Sequence, residues 1–320
     1  MGFRPELAHD PRGLAHSTND CRAVVLPRSV LVTQNFLDMA PKLEVIARLH
    51  VGTDNTDLEA CKERGVRVVQ ATSANVRSNA EYLLGALLMM YRRGFISSLM
   101  GKKDYQAQMG REINGSTIGL LGLSPTAHTL AALLNAMGAR VIGYDPALHH
   151  TSPLWGNLRV QPVSLPEMMS TADAVSVQML FASRFRGFIN DKVLAAVKPG
   201  QKWVATSRSS LFDPNALARA LQDGRMEGCL LDGVEKDFIA PDSPLLGAKN
   251  LYVTPRIGSH TAEARVRVGW YVAHRMHDVL AASSSSDASV SSPMPLDMPG
   301  SGLTNSQWGD SSVHSSPPAG

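Results

Sequence analysis

The chain has 320 residues, 44% hydrophobic, 18% charged and 6% aromatic, which fits an α/β protein with a packed core and excludes fibrous, wholly disordered and disulfide-framework classes. Its 31 basic and 28 acidic residues leave a net charge of +3, too small and too dispersed for a footprint on nucleic acid or an anionic membrane. Cys21, Cys61 and Cys229 stand far apart with no C-x-x-C pair. The sequence therefore points to no metal site and to a reducing, cytoplasmic compartment. No run approaches the roughly eighteen apolar residues of a membrane span, and the first twenty residues lack the apolar stretch of a secretory signal.

Residues 1–21 show no period and read as an irregular N-terminus. Strand-like runs follow at 23–27 (AVVLP), 43–50 (LEVIARLH) and 66–71 (VRVVQA), then a long helix from Asn79 to about Arg93. A second series of short apolar runs stands at 117–123, 140–145, 174–180, 202–207, 228–233 and 251–255. Such strands, separated by helical stretches, predict a doubly wound parallel sheet with helices on both faces. An amphipathic last helix runs from Thr261 to about Leu280, placed to pack back onto the first domain. From Ala282 to Gly320 serine, proline and glycine dominate, a composition that reads as a disordered tail because it buries too little apolar surface to offset ordering entropy.

The segment Thr117-Ile-Gly-Leu-Leu-Gly-Leu-Ser-Pro-Thr-Ala127 has the pattern of strand, tight turn and helix start. Such a turn aims backbone N–H groups and a positive helix end at a pyrophosphate. Gly122 and Ala127 meet the outer positions of G-x-G-x-x-G/A, while Ser124 takes the middle one, where glycine normally lets phosphate approach. The Ser124 hydroxyl is a potential phosphate donor and its Cβ a potential obstruction. Pro125 suits the first helical position but supplies no N–H; Thr126 follows it. Twenty-three positions after Gly122, Asp145 ends the next strand, where a carboxylate accepts from ribose hydroxyls and repels a 2′-phosphate, favouring NAD over NADP.

With these motifs the chain resembles the D-isomer-specific 2-hydroxyacid dehydrogenase family, which includes phosphoglycerate dehydrogenases and the corepressors called C-terminal binding proteins. Further landmarks are PKLEVIARLHVGTDNTDLEACKERGV at 41–66, ANVRSNAEYLLG at 74–85, ATSRSSLFDPNALARAL at 205–221, LLDGVEKDF at 230–238 and PDSPLLGAKNLYVTPRIGSHTAEA at 241–264. The resemblance implies a Rossmann-type NAD-binding domain at 96–263. It is inserted in a smaller flavodoxin-like substrate domain made of 22–95 and 264–281. The smaller domain is expected to be incomplete, because the family's first strand–helix units have no counterpart before Arg22. A homodimer and a small 2-hydroxy or 2-oxo acid substrate are also implied.

Reducing a 2-oxo acid needs a cation for the carboxylate, a proton donor and a carboxylate that orients the donor. By resemblance Arg208 is the cation, its fork suited to a planar carboxylate, and Ser207 and Asp232 join Gly122, Ser124, Pro125, Thr126, Ala127 and Asp145 in holding the cofactor. The family's glutamate falls on Asp237, shorter by one methylene, a change of about an ångström in reach. Arg256 stands in Pro255-Arg-Ile-Gly258, where the family has histidine. An arginine stays protonated, so the usual relay is missing and Arg256 reads as an electrostatic stabiliser or as the ion-pair partner of Asp237.

His50, with Val51 and Gly52 in the loop that holds the substrate carboxylate in the family, and His260 are the candidate replacement acids, histidine being the side chain that most readily exchanges protons. Gln178 and Leu180 replace the family's His and Pro, and Ser209 and Ser210 replace glycines. Two functions follow: an NAD-dependent dehydrogenase with altered acid–base residues, or a catalytically inactive NAD-sensing scaffold of the corepressor kind.

Overall fold

The computed structural model describes residues 20–27, 29–49, 55–71, 73–93 and 109–284. His50, Val51 and Gly52 lie outside the described residues, as does the chain beyond Ser284. Contacts divide the chain into one unit of Met1–Ala71 with Arg265–Gly320 and another of Thr72–Ala264.

In the first unit β1 (Ala23–Leu26), β2 (Val45–Arg48) and β3 (Arg67–Gln70) form a parallel sheet in that order. The connecting helices α1 (Gln34–Asp38) and α2 (Leu58–Glu63) begin where Thr33 and Asp57 accept from the backbone N–H groups of Phe36 and Ala60, satisfying donors that a helix start leaves open. Leu26, Phe36, Leu37, Ile46 and Cys61 form the core. The central strand ends in a fully buried Arg48, whose guanidinium donates to the carbonyls of Val30 and Asn55.

The second unit holds seven parallel strands in the order β10-β9-β8-β7-β4-β5-β6. They are β4 (Thr117–Leu121), β5 (Arg140–Tyr144), β6 (Gln161–Pro162), β7 (Ala174–Val177), β8 (Gln201–Ala205), β9 (Met226–Asp232) and β10 (Leu251–Thr254). Side chains alternate between the two faces, so Trp203 and Ala205 enter one core cluster and Val204 the other. The first cluster lies under α6 (Leu165–Thr171), α7 (Asp191–Leu194) and α8 (Pro214–Gln222). The second lies under α3 (Val76–Tyr91), α4 (Pro125–Ala136) and α5 (Pro153–Asn157). This is the doubly wound α/β sheet read from the sequence. Its strand order reverses at β4, flanked by β5 and β7, and a crevice at the carboxyl ends of such strands is where ligands bind in folds of this kind.

Three details differ from the sequence reading. The strand β6 is two residues long and contains a proline, too short to leave a periodic signal. Helix α3, assigned by sequence to the smaller domain, packs on α4 and β8. The last helix, α9 (Ala262–Ser284), continues three residues into the segment read as tail, and Ser283 there donates from Oγ to the Val279 carbonyl at 3.0 Å. Its buried face carries Val268, Val272 and Leu280.

Candidate functional site

The turn leaving β4 is set by Gly122, at φ +94°, a region that favours glycine. A Cβ there would stand 2.6 Å from the Met179 backbone nitrogen and 2.7 Å from its Cα. The next residue, Leu123, donates its N–H to Asp145 Oδ2 at 2.7 Å, and Asp145 Oδ1 accepts from Ala147 N at 2.8 Å. Asp145 thus fastens the turn to the end of β5 and keeps further acceptor lone pairs.

Ser124 is extended (φ −62°, ψ 163°) and makes no side-chain bond to the helix it precedes. Its backbone does not demand glycine, and its hydroxyl is not spent on capping. Pro125 opens α4, followed by Thr126 and a fully buried Ala127. An uncapped helix start of this kind presents open N–H donors and a positive dipole end. Together these residues fit a dinucleotide: Thr126 and Ala127 would meet its pyrophosphate and Asp145 its adenosine ribose.

At the neighbouring strand ends, Gln178 is buried and donates to Ser176 Oγ at 3.0 Å, while Leu180 is 74% exposed. The Ser207 hydroxyl donates to the Val177 carbonyl at 2.9 Å, tying the end of β8 to β7. Arg208 follows in extended conformation (φ −64°, ψ 136°), its guanidinium 5.4 Å from the centre of the Phe181 ring.

Asp232 is buried at the end of β9 and accepts from Thr254 Oγ1 at 2.7 Å and from the N–H groups of Ile257 and Gly258, each at 2.8 Å. Tyr82 joins through a 2.5 Å hydroxyl contact with Thr254. Burial, opposed by the Thr254 hydrogen bond and reinforced by the Asp232 charge, holds the Tyr82 phenol above its usual value. Asp232 therefore shapes the loop that carries residue 256. Arg256 is exposed, sits at φ +58°, and runs over Gly233, where a Cβ would lie 2.9 Å from its Nε.

The ion pair read between Asp237 and Arg256 is absent among the described residues. Both side chains are exposed, and there a single pair gains little against the entropy of fixing two side chains. His260 is exposed too, its N–H bonded to the Ile257 carbonyl.

Sequence reasoning missed Glu235. Its Oε2 accepts from Ser209 Oγ and, at 3.1 Å, from Ser210 N, and its own N–H returns a bond to Ser209 Oγ at 3.0 Å. Oε1 is buried without a hydrogen-bond partner. The available signal was Ser209 and Ser210 themselves: a hydroxyl gained beside Arg208 asks for an acceptor.

A sequence profile described as D-isomer specific 2-hydroxyacid dehydrogenase, NAD binding domain, matches residues 84–258. The (S)-sulfolactate dehydrogenase of Chromohalobacter salexigens is 33% identical over 271 residues, covering 84% of this chain and 87% of that protein. The D-3-phosphoglycerate dehydrogenase of Rattus norvegicus is 32% identical over 83% of this chain, which spans 50% of that longer protein. Among solved structures, apo D-lactate dehydrogenase from Escherichia coli superposes with a TM-score of 0.72 at 24% identity, over 83% of this chain and 85% of that one. That likeness is one of fold.

Proposed function

The chain belongs to the D-isomer specific 2-hydroxyacid dehydrogenase family, and from that premise we propose that it binds NAD and interconverts a small 2-hydroxy acid and its 2-oxo counterpart with altered proton transfer. The observation that carries this reading is the Gly122 turn, pressed against Met179 and leading into an uncapped α4. Gly122, Thr126 and Ala127 hold the pyrophosphate, and Asp145 takes the ribose and disfavours a 2′-phosphate. When bound, the nicotinamide supplies or accepts the hydride at C2.

Arg208 grips the substrate carboxylate and draws electron density from the carbonyl. Arg256 contributes positive charge near the developing alkoxide and retains its proton. The proton then falls to another group, and His260, four positions beyond Arg256, is the described candidate. Purified protein is expected to oxidise NADH with glyoxylate, hydroxypyruvate or another 2-oxo acid, and Arg208→Ala to abolish this. Absence of NADH consumption across a broad 2-oxo-acid panel contradicts the reading.

A second reading, an NAD-sensing scaffold without turnover, draws support from Arg256: it replaces the relay histidine and makes no ion pair with Asp237. NADH-dependent association of the chain without turnover supports it; association unchanged at saturating NADH removes it.

A further inference from the structure

We propose that Ser209 and Glu235 form a clamp that positions Arg208, a role that rests on Arg208 being the carboxylate-binding group. Arg208 lies in extended backbone between Ser207 and the short 3-10 turn that starts at Ser209. Both neighbours are fastened. Ser207 Oγ donates to the Val177 carbonyl at 2.9 Å. On the other side Ser209, fully buried, donates to Glu235 Oε2 and accepts from Glu235 N at 3.0 Å. Ser210 N adds a bond to the same carboxylate oxygen at 3.1 Å.

The first anchor reaches the end of β7 and the second the segment after β9, so the backbone under Arg208 is held from two strands at once. The Ser209 hydroxyl and the Ser210 N–H converge on one carboxylate oxygen while Ser209 Oγ accepts in return from Glu235 N, and a cation held in place loses less freedom when it captures a carboxylate. Ser209, which stands where the family has glycine, thus has a task for its hydroxyl, while Ser210 contributes its backbone N–H alone. Oε1 of Glu235, buried and unpartnered, cannot be the oxygen that holds the serines, which leaves the whole clamp on Oε2.

The test uses the full chain with NADH, and oxalate as an unreactive probe of the carboxylate site. Exchange of the Ser210 amide with deuterium reports the clamp directly, and calorimetry reports oxalate affinity. In wild type the Ser210 amide is protected; in Glu235→Ala it exchanges freely, while Glu235→Gln, which keeps an acceptor, retains part of the protection. Ser209→Ala and Glu235→Ala weaken oxalate binding by about tenfold with NADH affinity unchanged, and Arg208→Ala eliminates it.

Equal Ser210 exchange in wild type and Glu235→Ala overturns the clamp, as does undiminished oxalate affinity in Ser209→Ala when Arg208→Ala has lost it. Oxalate binding indifferent to Arg208→Ala overturns both the clamp's role and the reading of Arg208, and so separates the two failures. Ser209→Ala removes only a hydroxyl, which keeps the test valid if Glu235→Ala does not fold.

Discussion

Gly122 and Met179 approach so closely that a single methyl group on the glycine would stand 2.6 Å from the Met179 backbone nitrogen. That contact joins the turn after β4 to the loop after β7 at the sheet's switch point. Backbone on both sides leaves nothing flexible to yield, and φ of +94° adds strain for any other residue. Gly122→Ala is expected to cost about 2–4 kcal/mol of stability, read from urea melts. A loss below about 0.5 kcal/mol contradicts the contact.

Arg256 sits in left-handed backbone at φ +58°, at the position to which the proposed function assigns the missing acid–base histidine. Arg256→His is expected to raise turnover with a 2-oxo acid by about 100-fold or more, the usual yield of a positioned general acid, with NADH affinity unchanged. Turnover no higher than wild type shows that more than one substitution separates this cleft from a competent one. Arg256→Gly, which relieves the backbone, is expected to raise stability by about 1 kcal/mol.

The Asp232 carboxylate serves Thr254 and two backbone N–H groups at once. Asp232→Ala strands all three donors, one of them on the buried Gly258, and is expected to cost about 3–5 kcal/mol. Asp232→Asn keeps part of the acceptor set and costs less. Thermal melts of the two variants check the order; equal melting of alanine variant and wild type removes Asp232 from its place as the loop's anchor.

Asp173 provides the acid-side prediction. Burial alone would raise its pKa, but the Lys198 hydrogen bond, the Thr117 N–H and the Lys198 and Arg111 charges prevail and hold it below the ordinary 3.8. A depressed carboxylate contributes stability at neutral pH that disappears as pH falls below the ordinary value and through the folded one. Asp173→Asn is therefore expected to be less stable than wild type at pH 7, by about 1–2 kcal/mol, and the gap to close under strongly acidic conditions. A gap that widens on acidification contradicts this.

Strands with continuous apolar runs were legible because a sheet covered on both faces demands them: β4, β5, β7 and β10 fall within the stretches read from the sequence, and β8 and β9 overlap theirs but begin at Gln201 and Met226, ahead of the runs read. The β6 segment was not, since Gln161–Pro162 has no room for a pattern. Gly122 and Asp145 were legible as well, because the spacing of turn and strand end is set by the fold. The tie between Glu235 and Ser209 was not. The resemblance gave a role to Asp237 and none to Glu235, and the structure shows Glu235 reaching Ser209 across the loop after β9. Side-chain reach across a loop leaves no periodic trace, and only the gain of two serines marked it.

That the Gly122 turn and the start of α4 receive NAD is open to titration of the protein with NADH, followed by nicotinamide fluorescence. Wild type is expected to give a saturable rise that Gly122→Ala, folded by circular dichroism, fails to give. A flat titration in wild type, or identical saturation in both proteins, contradicts it.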